Sequence, residues 1–179
     1  MANFKPEVIR YAVGKSTLGF VLAGSSEMGV CAILLGDEPE LLVTELQRRF
    51  PTARLTEGNN DLTEIIALTE TPGKLALTLD IRGTVFQQRV WQALCEIPAG
   101  SMLSYTQVAA NIGSPKSVRA VAGACAANAI AVAIPCHRVV RSDGNLSGYR
   151  WGVARKRALL AREGRKSLRS DEWHFSVTS

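Results

Sequence analysis

The spacing of apolar positions changes along the chain. Val8-Ile9-Arg10-Tyr11-Ala12-Val13, Gly19-Phe20-Val21-Leu22 and Gly29-Val30-Cys31-Ala32-Ile33-Leu34-Leu35 are short, β-branched-rich runs punctuated by Gly or Ser. They predict three strands, with turns near Gly14–Thr17 and Gly24–Met28. From Glu38 to Phe50, Leu41, Leu42, Leu46 and Phe50 recur at helical spacing, with acids early and Arg48-Arg49 late, as a helix dipole prefers. Asp61–Leu68 predicts a second helix and Leu75–Ile81 a further strand. The first eighty residues thus read as a small α/β unit without a cluster of reactive side chains.

From Thr84 the period is helical. Thr84 and Gln87 form a capping-box pattern, and Phe86, Val90, Leu94 and Ile97 then share one helix face. Ser104 and Gln107 repeat the capping box, and Gly113 is a natural stop. Ser114-Pro115 reads as an N-cap followed by a proline at the first helical position, starting a helix that runs to about Ala127. Two helices separated by only Gly-Ser suit a helix-turn-helix. In the second, Val118, Val121, Ala122 and Cys125 can pack inward. The other side offers Lys116, Arg119, Ala120, Gly123 and Ala127. A face so short of long polar side chains does not suit major-groove base reading. It suits close backbone approach to a narrow groove or distorted duplex, or packing on another helix.

With 179 residues, 46% hydrophobic and 21% charged, the chain has globular composition and room for one domain or two small ones. That excludes disordered, collagen-like and disulfide-scaffold classes. Neither a signal-peptide core nor a membrane span of about 20 apolar residues is visible. The widely spaced Cys31, Cys95, Cys125 and Cys136 read as reduced thiols of a cytoplasmic protein. The net charge of +5 is lopsided: residues 1–80 carry 7 Lys/Arg against 11 Asp/Glu, whereas residues 81–169 carry 14 against 3. Such a basic segment either attracts a polyanion, nucleic acid first, or is simply a solvated face.

The chemistry concentrates in one segment. Ala129-Ile130-Ala131-Val132-Ala133-Ile134 is an uninterrupted apolar run ended by Pro135, and Cys136-His137 follows. A thiol at the tip of a buried segment beside an imidazole is a candidate nucleophile, held as thiolate. Adjacent side chains usually point apart, so a bridging water would connect the two, and His137 needs an orienting acceptor. Residues 97–170 hold only two acids, Asp143 and Glu163. Glu163, alone in a basic helix that ends at Gly164, suits that role better. Two other readings fit the same residues: a DNA-binding regulator in which Cys136 is a core thiol, and a multiple-turnover thiol hydrolase.

Ile134-Pro135-Cys136-His137-Arg138-Val139 resembles the active-site motif of the O6-alkylguanine-DNA alkyltransferases. The similarity extends through Gly148-Tyr149-Arg150-Trp151-Gly152 and Leu159-Leu160-Ala161-Arg162-Glu163-Gly164, and the segment order is most similar to the C-terminal repair half of Ada-type members. The resemblance implies an α+β fold: a ribonuclease-H-like N-terminal domain over residues 1–81, a helical DNA-binding and transfer domain over 82–169, and a tail at 170–179. It implies a monomer acting on double-stranded DNA that contains O6-alkylguanine and, less readily, O4-alkylthymine. The alkyl group passes irreversibly to Cys136 after base flipping. His137 takes the thiol proton through a water, and Glu163 orients His137. Arg119 fills the gap left by the flipped base, with Lys116, Ala120 and Gly123 also at the DNA. Tyr105 sits against the phosphate beside the lesion and lines the guanine pocket. Asn128 braces the nucleophile loop, backbone around Val139 and Ser147 meets the guanine edge, and Tyr149 with Trp151 tightens the pocket in favour of methyl. No cofactor is implied. Some members hold zinc near the N-terminus, but this chain has only His137 and His174, so no metal is expected.

Overall fold

A computed structural model describes residues 5–73, 75–146 and 148–169, the last five without their side chains. Three antiparallel strands open the chain: β1 (Val8–Ser16), β2 (Gly19–Ser26) and β3 (Gly29–Gly36). They run longer than the apolar runs predict, because the ladders continue through Gly14, Lys15 and Ser16 on one side and Gly24 to Ser26 on the other. Helix α1 (Pro39–Arg49) then crosses to β4 (Arg54–Glu57), which pairs parallel to β1 and completes the order β3-β2-β1-β4. Helix α2 (Leu62–Glu70) follows.

Residues 75–81 do not form the expected strand. Only Leu79 bridges, to Val30, and the segment crosses β3 as irregular chain, with Thr78 O accepting from Val30 N. On its own edge β3 is also bridged by Ile130 next to Ile33. Both contacts cover what would be an open sheet edge, which is why Val30 to Leu35 is buried throughout despite its edge position.

The later part is helical, with α3 (Val85–Cys95), α4 (Tyr105–Asn111), α5 (Val118–Ala127) and α6 (Val153–Arg169). Both predicted capping boxes form, at Thr84/Gln87 and Ser104/Gln107. Trp91 of α3 packs against Gly83, where a Cβ would lie 2.5 Å from the ring, and donates its indole N–H to Ala124 O of α5 at 2.8 Å. A two-residue parallel pair, β5 (Leu103–Ser104) with β6 (Val139–Val140), ties the start of α4 to the strand after Cys136.

The link between α4 and α5 is longer than the sequence suggests. Gly113 takes a positive φ of 75°, as a helix stop should. Helix α5, however, starts at Val118 and not at Pro115. Ser114, Pro115, Lys116 and Ser117 form a separate turn, closed by Ser117 N to Ser114 O at 2.9 Å and by the two serine hydroxyls at 2.6 Å. Lys116 therefore lies on the turn, ahead of the helix.

Candidate active site

Cys136, His137 and Arg138 form a short 3-10 turn between the buried apolar run and β6, and all three are buried. The run reaches that turn through Val132, a β-branched residue at φ 68°, a conformation that such residues rarely adopt. Asn128, fully buried at the end of α5, holds this loop. Its Nδ2 donates to Ile134 O at 2.9 Å and to Cys136 Sγ at 3.3 Å, and its Oδ1 accepts from Ile130 N.

His137 Nε2 and Glu163 Oε1 are 2.6 Å apart, and both side chains are fully buried. With Nε2 facing a carboxylate, the imidazole carries its proton there and leaves Nδ1 as the acceptor. Among the described residues Nδ1 has no hydrogen-bond partner. Glu163 also accepts from Arg138 Nε and Nη2, at 3.1 and 2.8 Å. Burial pushes its carboxyl up, but the bonds from His137 and Arg138 outweigh that, and it stays ionised below the usual carboxylate range. Burial pushes His137 down, which Glu163 only partly offsets, so the imidazole rests neutral.

The thiol is not held as thiolate. Burial raises Cys136 to about 11, against the smaller opposing effects of Asn128 and Lys156. A thiol removed from water is stabilised in its neutral form, and its proton must be taken during reaction.

Sequence reading missed two neighbours. Arg138 supplies the second cation on Glu163 and donates to Ile97 O at 2.6 Å. Lys156, with no exposed surface, donates to Val139 O at 2.6 Å and lies 5.9 Å from the Tyr149 ring centroid. The signal for Lys156 was its spacing, since it shares the inward face of α6 with Leu159 and Glu163.

Beside this centre is a cleft of about 480 Å³ lined by Tyr105, Val118, Arg119, Ala122, Ala126, Arg141, Gly148, Tyr149 and Arg150. Tyr105 donates to Gly148 O at 3.4 Å, and burial raises its phenol to about 12. Tyr149 is buried against Trp151, with ring centroids 5.4 Å apart at 71°, and its hydroxyl lacks a partner among the described residues. Arg119, Ala120 and Gly123 are exposed on α5, and a Cβ at Gly123 would meet nothing within 4 Å. The structure thus gathers Cys136, His137, Glu163, Asn128 and Val139 in one buried cluster, with Tyr105, Tyr149 and Arg119 at the adjoining cleft. Ala120, Gly123 and Lys116 lie on the outer surface of α5 and its preceding turn. Ser147, His174 and the tail at 170–179 lie outside the described residues.

Known proteins resemble the chain over this whole region. Residues 85–165 match the family profile described as 6-O-methylguanine DNA methyltransferase, DNA binding domain. The bifunctional transcriptional activator/DNA repair enzyme Ada of Escherichia coli K12 is 54% identical over 166 residues, 90% of this chain and 47% of Ada. The chain therefore spans about half the length of that relative. It spans 89% of the inducible methylated-DNA–protein-cysteine methyltransferase of Bacillus subtilis, 36% identical over 169 residues and 92% of this chain. The crystal structure of Mycobacterium tuberculosis OGT in complex with DNA superposes with a TM-score of 0.72 at 30% identity, covering 89% of this chain and 94% of that one. With a full-length relative of that identity and a buried cysteine, histidine and glutamate in place, the chain belongs to the methylated-DNA–protein-cysteine methyltransferase family.

Proposed function

We propose that this protein repairs DNA by direct reversal, moving an alkyl group, chiefly methyl, from O6 of guanine to Cys136 once per molecule. The observation that carries the reading is the buried Cys136 thiol, fixed by Asn128 and followed in sequence by an imidazole whose far nitrogen is anchored on Glu163. The target carbon lies inside a duplex, so the nucleotide leaves the stack and enters the cleft beside Tyr105 and Tyr149. Arg119, exposed at the cleft rim, fills the gap in the stack. Lys116 and the basic surface hold phosphates, and the small residues Ala120 and Gly123 let α5 approach the groove closely.

Through a water, His137 Nδ1 accepts the Cys136 proton, and Glu163 stabilises the imidazolium that forms. Sulfur attacks the alkyl carbon as the carbon–O6 bond breaks, and the electron pair leaves on guanine. Backbone around Val139 and Ser147 and the protonated Tyr105 phenol offer donors to that developing charge. The product is a thioether that no neighbouring group hydrolyses, so the reaction stops at one turnover. O4-alkylthymine presents the same oxygen–carbon bond and reacts less readily.

The remaining assignments follow from this one. Residues 1–81 form the bracing domain, and their strand order with β4 parallel to β1 supports reading it as ribonuclease-H-like. Residues 82–169 carry the chemistry, with α4 and α5 acting as a helix-turn-helix. The protein works as a monomer in the cytoplasm, where reducing conditions keep Cys136 free.

Incubation with a duplex bearing a single O6-methylguanine, followed by intact mass and peptide mapping, tests the proposal. One added methyl on the Cys136 peptide, reached once and never exceeded, is expected. Bound duplex with no mass change would overturn it.

A further inference from the structure

Away from the reacting groups, the side chains converge on one carboxylate, Glu45 of α1. Arg48 Nη2 donates to it at 2.7 Å, Arg49 Nε at 3.0 Å, and Arg150 Nη2 also reaches it. Two of these arginines carry the connection onward. Arg150 Nη1 donates to Ala126 O at 2.9 Å, and Arg49 reaches Ala127 O at 3.4 Å and Asn128 O at 3.5 Å. These are carbonyls at the C-terminal end of α5, where a helix runs out of internal donors and where cations are favoured.

Two guanidinium groups at one helix end repel each other, and Arg150 opposes the charge of Arg49. A shared carboxylate removes that conflict. The arrangement also joins three parts of the fold: α1, the end of α5 and the cleft wall to which Arg150 belongs. The residue at the end of this chain of contacts is Asn128, whose amide is the donor to Cys136 Sγ.

We propose that Glu45 is a positioning residue for alkyl transfer: by holding Arg49 and Arg150 together on the C-terminal carbonyls of α5, it fixes Asn128 and, through it, the Cys136 thiol. This inference rests on the transfer reaction proposed above. It assigns to the N-terminal unit a part in the chemistry that bracing alone does not require. A displaced nucleophile loses rate steeply, because the reacting atoms must approach in line.

The experiment compares wild type, Glu45→Gln and Arg48→Gln in single-turnover methyl transfer from O6-methylguanine duplex, together with NMR spectra of protein carrying isotope-labelled asparagine. Glu45→Gln is expected to slow transfer about tenfold and to move the Asn128 side-chain amide resonances. Arg48→Gln should do neither, since Arg48 touches Glu45 without touching α5. An unchanged rate in Glu45→Gln, or a slower rate with Asn128 resonances in place, would overturn the proposal. Should Glu45→Gln fail to fold, Arg150→Lys decides the same question. It keeps the charge but cannot span Glu45 and Ala126 O together, so unmoved Asn128 resonances there would also overturn it. Absence of methyl transfer in wild type would defeat the repair reading instead, and the resonances would still report whether Glu45 sets Asn128.

Discussion

At the scale of residues, the site is built from groups whose burial only works collectively. Arg138 and Glu163 are both nearly inaccessible, and each would be strongly destabilising without the other. Glu163 Oε1 accepts from Arg138 and from His137 alike, so the imidazole is oriented by a carboxylate that is itself already balanced by a cation. One consequence is measurable without substrate. An unfolded histidine takes up a proton as the pH falls through its ordinary value of 6.5, whereas buried His137 resists protonation because burial lowers its pKa. Below that value the unfolded chain binds more protons than the folded one, so stability is lost as pH falls and is fully present above it. The slope can reach about 1.4 kcal/mol per pH unit. Glu163 is shifted in the same direction, but its contribution is lost only below its ordinary value of 4.5, which separates the two groups. The urea midpoint of wild type is therefore expected to fall between about pH 7 and about pH 5.5, and His137→Gln should lose much less over that interval. Equal losses would show that the imidazole titrates as freely in the folded protein as in the unfolded chain.

Among the elements, α5 shows a conflict between stability and binding. Gly123 lies in its interior with open space where a Cβ would go. Alanine there should favour the helix by about 1 kcal/mol. If the bare face is where a duplex approaches, the same methyl group should weaken binding. Gly123→Ala is expected to raise the unfolding free energy and lower duplex affinity measured by fluorescence anisotropy; a gain in both would remove α5 from the interface. Apart from Ala127, which packs against the core, that bare face was legible in the sequence, as were both capping boxes, because each depends on neighbours within a few residues. The start of α5 was not, since Pro115 is equally suited to a first helical position and to the turn that Ser114 and Ser117 close. Nor was β4, whose four residues become a strand only by pairing with β1, nearly fifty residues earlier. Leu75–Ile81 has strand composition but meets β3 at a single bridge. In the candidate site, Cys136, His137 and Glu163 stood out as chemically unusual residues in apolar or basic surroundings. Glu45 did not, because a glutamate in an acidic segment looks ordinary until the fold brings it to Arg150, and Lys156 is marked only by its spacing with Leu159 and Glu163 on α6.

For the whole molecule, the lopsided charge is partly internal. Among the described residues, Glu7, Asp37, Glu45 and Glu70 of the acidic first part pair with Arg82, Arg155, Arg150 and Arg162 of the basic second part. Such partly exposed pairs contribute little each, so they select how the two parts meet more than they hold them together. The holding is done by apolar packing. Ile33 of β3 is fully buried, bridges Ile130 and exchanges backbone hydrogen bonds with Ala129 O and Ala131 N at 2.9 and 3.0 Å. The core runs without a break from the sheet through that contact to α3, α5 and α6. Loss of one part should therefore expose the buried side of the other, and the two should unfold together. Ile33→Ala, which removes apolar volume where they join, is expected to cost about 2–5 kcal/mol. Its effect should appear equally in the backbone amide NMR signals of β1–β3 followed through a urea titration, which report the sheet, and in tryptophan fluorescence, since Trp91, Trp151 and Trp173 all lie beyond residue 81. Coincident curves shifted to lower denaturant are the expected result. A fluorescence transition that survives after the sheet signal is gone would mean that the second part keeps its own core, and that Glu45 could be lost from beside α5 without unfolding it.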